Sequence, residues 1–365
     1  MESSPPSEHA GRAGEAVPHS LARVGFVDTI DRTQRKRSVL GFPIATFFKF
    51  IDDQGPYLAA IISFYALLAI FPILLLAVTI FGFVLQGNAD LQERVLDSTL
   101  STFPIIGDEL GRPDRLQGST MSTVVGILAA IYSSLGLGQA LQNALNVAWS
   151  VPRNQRPNPI ALRLKSVGLL TIAGISVLAI TIVSTLGSQT EVFGPRIDGL
   201  LSWAIRLVTV VLIGLVLTLV FRLAAARRHH LGRAAPGAFT VAVLWQALQY
   251  VGTVYATRVL AETEGMSGAF GLVLGLIGII YIAAVMGVIG MEVNVVLARR
   301  LWPRSIRTLF MDRGELTDAD RRAYASYVRA QQHKTTENVE VSFRDPDTGA
   351  LQIIEEPGPK GKMNR

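Results

Sequence analysis

The stretch GMSGAFGLVLGLIGIIYIAAVMGVIGM, residues 265–291, contains no Asp, Glu, Lys or Arg. It is longer than the roughly 20 apolar residues that an α-helix needs to cross the hydrocarbon core of a bilayer. Further charge-free stretches of comparable length cover residues 54–89, 116–152, 166–190 and 234–257. A sixth apolar stretch, 199–221, carries one charge, Arg206. The sequence therefore predicts an all-α polytopic membrane protein with a bundle of six transmembrane helices.

The overall composition points to the same class of protein. Half of the residues are hydrophobic and only 17% are charged, which is unusual for a soluble domain. The formal net charge of +6 fits a nucleic-acid-binding protein, but it also fits the basic cytoplasmic loops of a membrane protein. We favour the membrane interpretation and expect no nucleic acid partner. The chain has no cysteine, which excludes disulfides, thiolate metal sites and cysteine nucleophiles.

The charges of the connecting loops predict the orientation. The predicted spans are residues 57–85, 122–149, 167–186, 199–221, 237–257 and 267–291. The connections after the second and fourth spans are basic and contain no acid, and their basic residues include Arg153, Arg156, Arg163, Lys165, Arg222, Arg227, Arg228 and Arg233. The other three connections are acidic or mixed. Because basic loops stay in the cytoplasm, we predict a multi-pass protein of the cell (inner or plasma) membrane with both termini cytoplasmic.

The flanking segments complete the predicted domain organisation. We expect a disordered cytoplasmic tail at 1–20, a cytoplasmic or interfacial amphipathic segment at 21–55, the transmembrane domain at 56–298, and a partly disordered cytoplasmic tail with one short helix at 299–365. Residues 42–51 suit either a helix on the bilayer surface or a helix packed under the bundle. Thr317 has the character of an N-cap for a helix that ends near Gln331. Residues 339–343 and 351–354 suit either a hairpin or disorder.

Short motifs on the predicted spans resemble those of a known family. They are Ile62-Ser63-Phe64-Tyr65 with Phe71-Pro72, Ala144-Leu145-Asn146-Val147-Ala148-Trp149, Pro236-Gly237-Ala238 with Trp245, and Tyr281 with Gly290-Met291-Glu292-Val293-Asn294. In this order they are similar to motifs of the BrkB/YihY family of bacterial inner-membrane proteins, including its YhjD-like branch. The departures at Ala69, Ile279 and Met291 indicate a divergent branch.

The resemblance carries expectations for both fold and function. It implies a six-helix bundle in which Tyr65, Pro72, Trp245 and Gly290 are structural motif residues. It also implies a transport role, with lipid or lipopolysaccharide export described for some members. An older label of some members is ribonuclease BN.

The residues themselves give little support for an enzyme. The five histidines are His9, His19, His229, His230 and His333, and they do not form a metal-binding pattern with carboxylates. No phosphate-binding loop, nucleophile elbow or dinucleotide fingerprint is present. We therefore predict no enzymatic activity, no cofactor and no metal site.

The candidate binding residues are polar groups inside the predicted spans. Arg206 lies about 10 Å deep at 1.5 Å per residue, and it suits either an anionic lipid headgroup or pairing with Asp198 near the surface. Glu292 suits either a cation or proton site, or an ion pair with Arg153 or Arg299.

Amides form the second group of candidate residues. One face of span two carries Gln139, Gln142, Asn143 and Asn146. With Gln246 and Gln249 of span five, this face suits either a polar vestibule or amide-mediated helix packing. The small residues Gly271, Gly275, Ala283 and Gly287 of span six predict close helix packing instead of a substrate path.

Two hypotheses for the function follow. The first is a transporter or flippase-like protein for a lipid or another amphiphile, with a polar path through the bundle. The second is a membrane scaffold that binds anionic lipid or partner proteins through its basic cytoplasmic segments. Membrane lipids, including anionic headgroups, are the expected partners under both hypotheses. The oligomeric state is not predicted.

Overall fold

A computed structural model describes residues 31, 34, 38–84, 120–188, 195–226, 230–259, 267–306, 316–344 and 351–353. The eight α-helices of this part are α1 Ser38–Asp52, α2 Gly55–Val84, α3 Thr120–Ala148, α4 Pro159–Ser188, α5 Pro195–Ala224, α6 Leu231–Val259, α7 Ser267–Arg299 and α8 Asp318–Ala330. A 3₁₀ turn, Arg153–Gln155, precedes α4, and strands β1 Ser342–Arg344 and β2 Leu351–Ile353 follow α8. The predicted tail at 1–20 and most of the predicted acidic connections lie outside the described residues.

The structure confirms a helical protein with apolar helices that can cross a membrane, but it does not confirm the predicted number of spans. Within the described residues, three segments are long and apolar enough to cross a membrane: Pro159–Ser176, Leu207–Ala224 and Leu274–Arg299. The pair α1–α2, bent by 69° at its break, counts as a fourth if it is one span. The six-span count and the orientation of the termini stay predictions.

Six long helices, α2 to α7, pack in a closed ring. Each contacts the next along the chain, and α7 returns to contact α2. Contacts also join α2 to α4, α3 to α5 and α3 to α7. We call the end where α3, α5 and α7 finish and α2, α4 and α6 begin the basal end. Fully buried apolar side chains such as Leu145, Met291 and Val295 lie there. Outward positions such as Leu207 and Leu215 on α5 are exposed and apolar, as expected for a surface that faces lipid.

The α1 helix packs under this basal end, as in the second of the two interpretations of residues 42–51. It contacts α7 and α2 and buries Ala45, Phe48 and Phe50. On its other side, Phe47 and Ile51 stay exposed. The chain then turns sharply into α2, where a Cβ on Gly55 would lie 2.2 Å from the Phe50 ring. Only glycine fits this position without displacing that ring.

The short helix predicted to begin after Thr317 is present as α8, and its cytoplasmic location stays a prediction. The Thr317 hydroxyl accepts a hydrogen bond from the Asp320 backbone N–H, and the Thr317 N–H donates to the Asp320 carboxylate. This reciprocal capping box stabilises the first turn of a helix. Strands β1 and β2 pair antiparallel, with Phe343 opposite Gln352, so the described parts of this region form the hairpin.

Helices α6 and α7 cross at two glycines. A Cβ on Gly237 would overlap the carbonyl oxygen of Gly290, and a Cβ on Gly290 would lie 2.7 Å from the carbonyl oxygen of Gly237. The expected tight packing at Gly275 and Gly287 is wrong, because a Cβ there would meet no described atom within 4 Å. The close approach occurs three residues after Gly287, at Gly290.

Candidate functional site

A buried ion-paired cluster lies at the basal end, where α1, α3 and α7 meet. Lys49, whose side chain is fully buried, forms a salt bridge with Asp53, and its Nζ lies 3.5 Å from Glu292 Oε2. Lys49 also donates a hydrogen bond of 3.0 Å to the carbonyl oxygen of Ala148 at the end of α3. Glu292 is fully buried on α7, and neither of its carboxylate oxygens has a hydrogen-bond partner among the described residues. One ammonium group therefore serves two carboxylates in a site closed to solvent.

A second buried cation, Arg304, lies beside the neighbouring face of α1. Its Nε donates to Asp320 Oδ1 at 2.8 Å, and its Nη1 donates to Asp52 Oδ2 at 2.7 Å. The guanidinium carbon lies 5.6 Å from the centre of the Phe48 ring and 5.3 Å from that of Tyr324. Burial alone lowers the pKa of Arg304, but the Asp52 charge and the Asp320 hydrogen bond outweigh it, so the pKa is raised. This arginine stays charged and joins the end of α1 to α8.

The two groups are continuous through neighbouring residues, and we call them together the basal charge network. The network comprises Lys49, Asp52, Asp53, Glu292, Arg304 and Asp320. Tyr327 of α8 bridges its halves, with its ring 5.0 Å from Lys49 Nζ and its hydroxyl 3.4 Å from Asp52 Oδ2. Asp52 is exposed, so the buried members are three acidic and two basic side chains, an excess of one acid, 3 − 2. Burying ionised groups costs several kcal/mol per ion unless they are paired, so this excess marks the network as a functional candidate.

The structure places Glu292 differently from the sequence expectation of an arginine partner. Its ion pair is with Lys49, which the sequence analysis did not single out. Arg299 donates through Nη2 to the carbonyl oxygen of Trp149 at 2.5 Å, and Arg153 donates through Nε to Gln331 Oε1 at 3.2 Å. Helical spacing along α7 shows the face that Glu292 occupies, but it does not show that α1 folds back beneath that face.

The four amides of α3 divide into two pairs. Gln142 and Asn146 are buried, whereas Gln139 and Asn143 are exposed. Gln142 Nε2 donates to Ser166 Oγ and to the carbonyl oxygen of Leu162, each at 3.0 Å. The predicted partner, span five with Gln246 and Gln249, is wrong for Gln142, because its described partners on other helices belong to α4, and its remaining bond goes to the Gly138 carbonyl of α3. This arrangement supports amide-mediated packing at Gln142, and the vestibule stays a prediction for the exposed pair.

The other predicted site residues lie on the expected helices without joining the network. Gln246 on α6 is half-buried and Gln249 is exposed. Arg206 and Pro72 belong to α5 and α2, but their side chains lie outside the described residues. No binding role assigned to these residues is tested, so those roles stay predictions.

Several motif residues hold the helices together. A Cβ on Gly136 of α3 would fall 2.3 Å from the Tyr65 ring of α2, so these two residues are in direct contact. Asn294 Oδ1 accepts a 2.7 Å hydrogen bond from the backbone N–H of Gly237, beside the crossing at Gly290. Trp245 is half-buried on α6.

A separate groove of about 370 Å³ opens between α4 and α5 near the basal end. We call it the α4–α5 groove, and it is lined by Lys165, Gly168, Leu169, Leu219, Arg222, Leu223 and Ala225. Its walls are largely apolar, and its two cations come from the first turns of α4 and the last turn of α5. Lys165 Nζ donates to the carbonyl oxygen of Ala225 at 3.2 Å, which connects the two helices across the groove.

Sequence reasoning missed most of the basal charge network. A signal was present around Lys49, because a single lysine stands among Phe47, Phe48, Phe50 and Ile51 and is followed by two aspartates. A lysine in such surroundings is either at an interface or buried against an acid. Arg304 follows Pro303 in a polar stretch and carried no comparable signal.

A model of a known protein family matches most of this chain. A family model described as Virulence factor BrkB matches residues 46–307. The chain belongs to the BrkB family. The matched range begins within α1 and ends beyond Arg304, so it contains all of the basal charge network except Asp320. The resemblance to this family is therefore confirmed.

Two proteins with similar sequences have names that state no activity. An uncharacterised protein of Dickeya dadantii (strain 3937) is 25% identical over 284 residues, which cover 73% of this chain and 85% of that protein. A UPF0761 membrane protein of Alkalilimnicola ehrlichii is 31% identical over 130 residues, which cover 33% of this chain and 28% of that protein. No solved structure matches the chain.

Proposed function

We propose that this BrkB-family membrane protein spans the inner membrane six times, with both termini in the cytoplasm, and moves an anionic lipid or a similar amphiphile. The α4–α5 groove carries the proposal. It combines apolar walls with Lys165 and Arg222 at one end of two helices that are each apolar enough to cross a membrane. An amphiphile with a negative headgroup has the complementary character.

The position of Arg206 suggests a second station on the same helix. Arg206 precedes Arg222 by 16 residues (222 − 206) on α5, which at 1.5 Å per residue is about 24 Å along the helix axis. A headgroup bound near one arginine would therefore lie close to one side of the bilayer, and near the other arginine close to the opposite side. The same spacing turns the helix by about 160°, so Arg206 would act on a different face of α5 from the α4–α5 groove.

The basal charge network supports transport over a purely structural role. Glu292 is the network member that lies within the predicted transmembrane domain, and charged groups inside a membrane bundle are rare and commonly lie along a substrate or ion path. The Glu292 carboxylate is buried beside Lys49 with both oxygens lacking a described hydrogen-bond partner. The Glu292 carboxylate is therefore available to take up a proton, or to exchange Lys49 for another partner, when the helices move.

Gly168 offers a direct test of the groove. A Cβ on this residue would meet no described atom within 4 Å, so a larger side chain would enter the groove without a backbone clash. We expect Gly168→Leu, and the pair Lys165→Ala with Arg222→Ala, to slow movement of fluorescent phosphatidylglycerol across proteoliposome membranes. The matched control is Gly275→Leu on α7, where a Cβ also meets open space.

The measurement is the fraction of fluorescent lipid that becomes accessible to dithionite added outside the vesicles. Wild-type protein and Gly275→Leu should accelerate the exchange of labelled phosphatidylglycerol over that of labelled phosphatidylcholine. Protein-free vesicles that behave like those with wild-type protein would contradict transport. Retained binding of the anionic lipid without movement would favour the scaffold hypothesis.

A further inference from the structure

A second cavity, of about 350 Å³, lies at the basal end outside the α4–α5 groove. We call it the arginine pocket. It is formed by the end of α3 with the following connection, the start of α6, the end of α7, and α8 with the segment after it. The lining residues are Trp149, Ser150, Val151, Pro152, Gln155, Arg233, Ala298, Arg299, Ser326, Arg329, Gln332, Asn338 and Val339.

Three positive charges converge on this pocket from three different helices. Arg233 lies in the first turn of α6, Arg299 ends α7, and Arg329 lies in the last turn of α8. None of the described residues that line the pocket is acidic. An anion in the pocket would be attracted by all three positive charges.

The polar groups of the pocket suit a phosphate-bearing ligand. Arginine presents a planar fork of donors that matches phosphate oxygens in a bidentate way. Gln155, Ser326 and Asn338 add neutral polar groups around the arginines. Glu337 lies near in sequence, but its Oε2 accepts a hydrogen bond of 2.7 Å from the His333 backbone. Backbone hydrogen bonds from His333 and Lys334 lower the Glu337 pKa. This carboxylate therefore already has hydrogen-bond partners within residues 333–337.

The pocket also joins the tail to the bundle. The Asn154 backbone N–H donates to the Gln332 carbonyl at 3.2 Å, and Arg153 Nε donates to Gln331 Oε1 at the same distance. A ligand that touches Arg233 and Arg329 together would add a link between α6 and α8. We propose that the arginine pocket binds a phosphate group, from a soluble phosphate or a lipid headgroup, and thereby fastens the segment after α8 to the transmembrane helices.

The first measurement is the thermal unfolding midpoint of the purified full-length protein in detergent. Sodium pyrophosphate is added at constant ionic strength, with sodium chloride as the salt control. A ligand that binds only the folded state raises the midpoint with its concentration. The test variant is Arg233→Ala, and the matched control is Arg163→Ala, which removes an exposed positive charge outside both cavities.

The soluble source and the lipid source give different results. For a soluble phosphate, pyrophosphate should raise the midpoint of wild type and Arg163→Ala, with at least a tenfold higher concentration needed for Arg233→Ala. For a lipid headgroup, native mass spectrometry from nanodiscs of phosphatidylcholine with phosphatidic acid should show phosphatidic acid retained by wild type and Arg163→Ala but lost from Arg233→Ala.

Protection of the tail is the second readout. Trypsin cleavage after the described arginines of α8 should slow when the effective probe is present, and this slowing should be absent in Arg233→Ala. The variant Arg329→Ala should repeat the loss, which covers the case of a folding defect in Arg233→Ala. The proposal is overturned if neither probe binds wild type, or if wild type and both pocket variants respond equally.

Discussion

Replacing Lys49 by methionine should destabilise the protein strongly, and neutralising Glu292 should recover part of the loss. Lys49 is fully buried, forms a salt bridge with Asp53, approaches Glu292 and donates to the Ala148 carbonyl. Methionine has a similar length and no charge. The substitution therefore leaves two buried carboxylates beside each other without their cation.

The expected magnitudes follow from these contacts. Removing one partner of a buried ion pair costs about 3–5 kcal/mol, because the other charge stays buried. Glu292→Gln alone leaves the Lys49–Asp53 pair in place and removes no described hydrogen bond, so we expect about 1 kcal/mol. The double variant has only one buried carboxylate left without a cation, whereas Lys49→Met has two. The double variant should therefore lose about 1–3 kcal/mol less free energy of unfolding than the sum of the two single losses.

The assay is unfolding of the purified protein by sodium dodecyl sulfate, followed by far-ultraviolet circular dichroism. The four proteins of the cycle are wild type, Lys49→Met, Glu292→Gln and the double variant. Arg163→Met serves as the surface control and should stay within about 0.5 kcal/mol of wild type. The reasoning is refuted if Lys49→Met stays within about 1 kcal/mol of wild type. Additive single changes would show instead that Lys49 and Glu292 do not interact.

Three further predictions test other parts of the molecule. Gly237→Ala should lower the thermal unfolding midpoint strongly, because its Cβ would overlap the Gly290 carbonyl oxygen. The control Gly287→Ala should have little effect, and equal melting curves for the two variants would contradict the close approach of α6 and α7 at Gly237. Single cysteines in the basic connections should be labelled from the cytoplasm and those in the acidic connections from outside, and any reversal breaks the six-span topology. The labelling sites are Asn158, His230, Asp108 and Glu264. Purified protein should leave tRNA intact with Mg²⁺, Mn²⁺ or Zn²⁺. Cleavage that co-purifies with the protein and disappears when His229 and His230 are replaced would contradict this prediction.

The long helices were predictable because each has its own local signal. The span predicted at 122–149 corresponds to Thr120–Ala148, and the one predicted at 267–291 begins at the same residue as Ser267–Arg299. A long apolar stretch needs no knowledge of its neighbours to be recognised as a helix in lipid. The N-cap of α8 is likewise a local pattern, and it was predicted at Thr317.

The pairing between helices was not predictable in the same way. Helical spacing puts Gln142 and Asn146 on one face, but the buried partner could belong to any adjacent helix, and it is Ser166 on α4. The Lys49–Glu292 pair joins residues 243 positions apart (292 − 49). Such contacts depend on where α1 folds back under the bundle, and no local pattern specifies that position.

The hydrogen bond from Arg304 to Asp52 also orders the assembly of the protein in time. Its two residues are 252 positions apart in the chain. At a synthesis rate of about 5–20 residues per second, Asp52 is added to the chain roughly 12 to 50 seconds before Arg304. For most of this interval, Lys49 also lacks Glu292, so neither buried ion pair between distant parts of the chain can form until the last long helix has been made. Closure of the basal end is therefore a late event of biosynthesis. A chain truncated before Glu292 would lack the partner that Lys49 has on α7 and the arginine that pairs with Asp52.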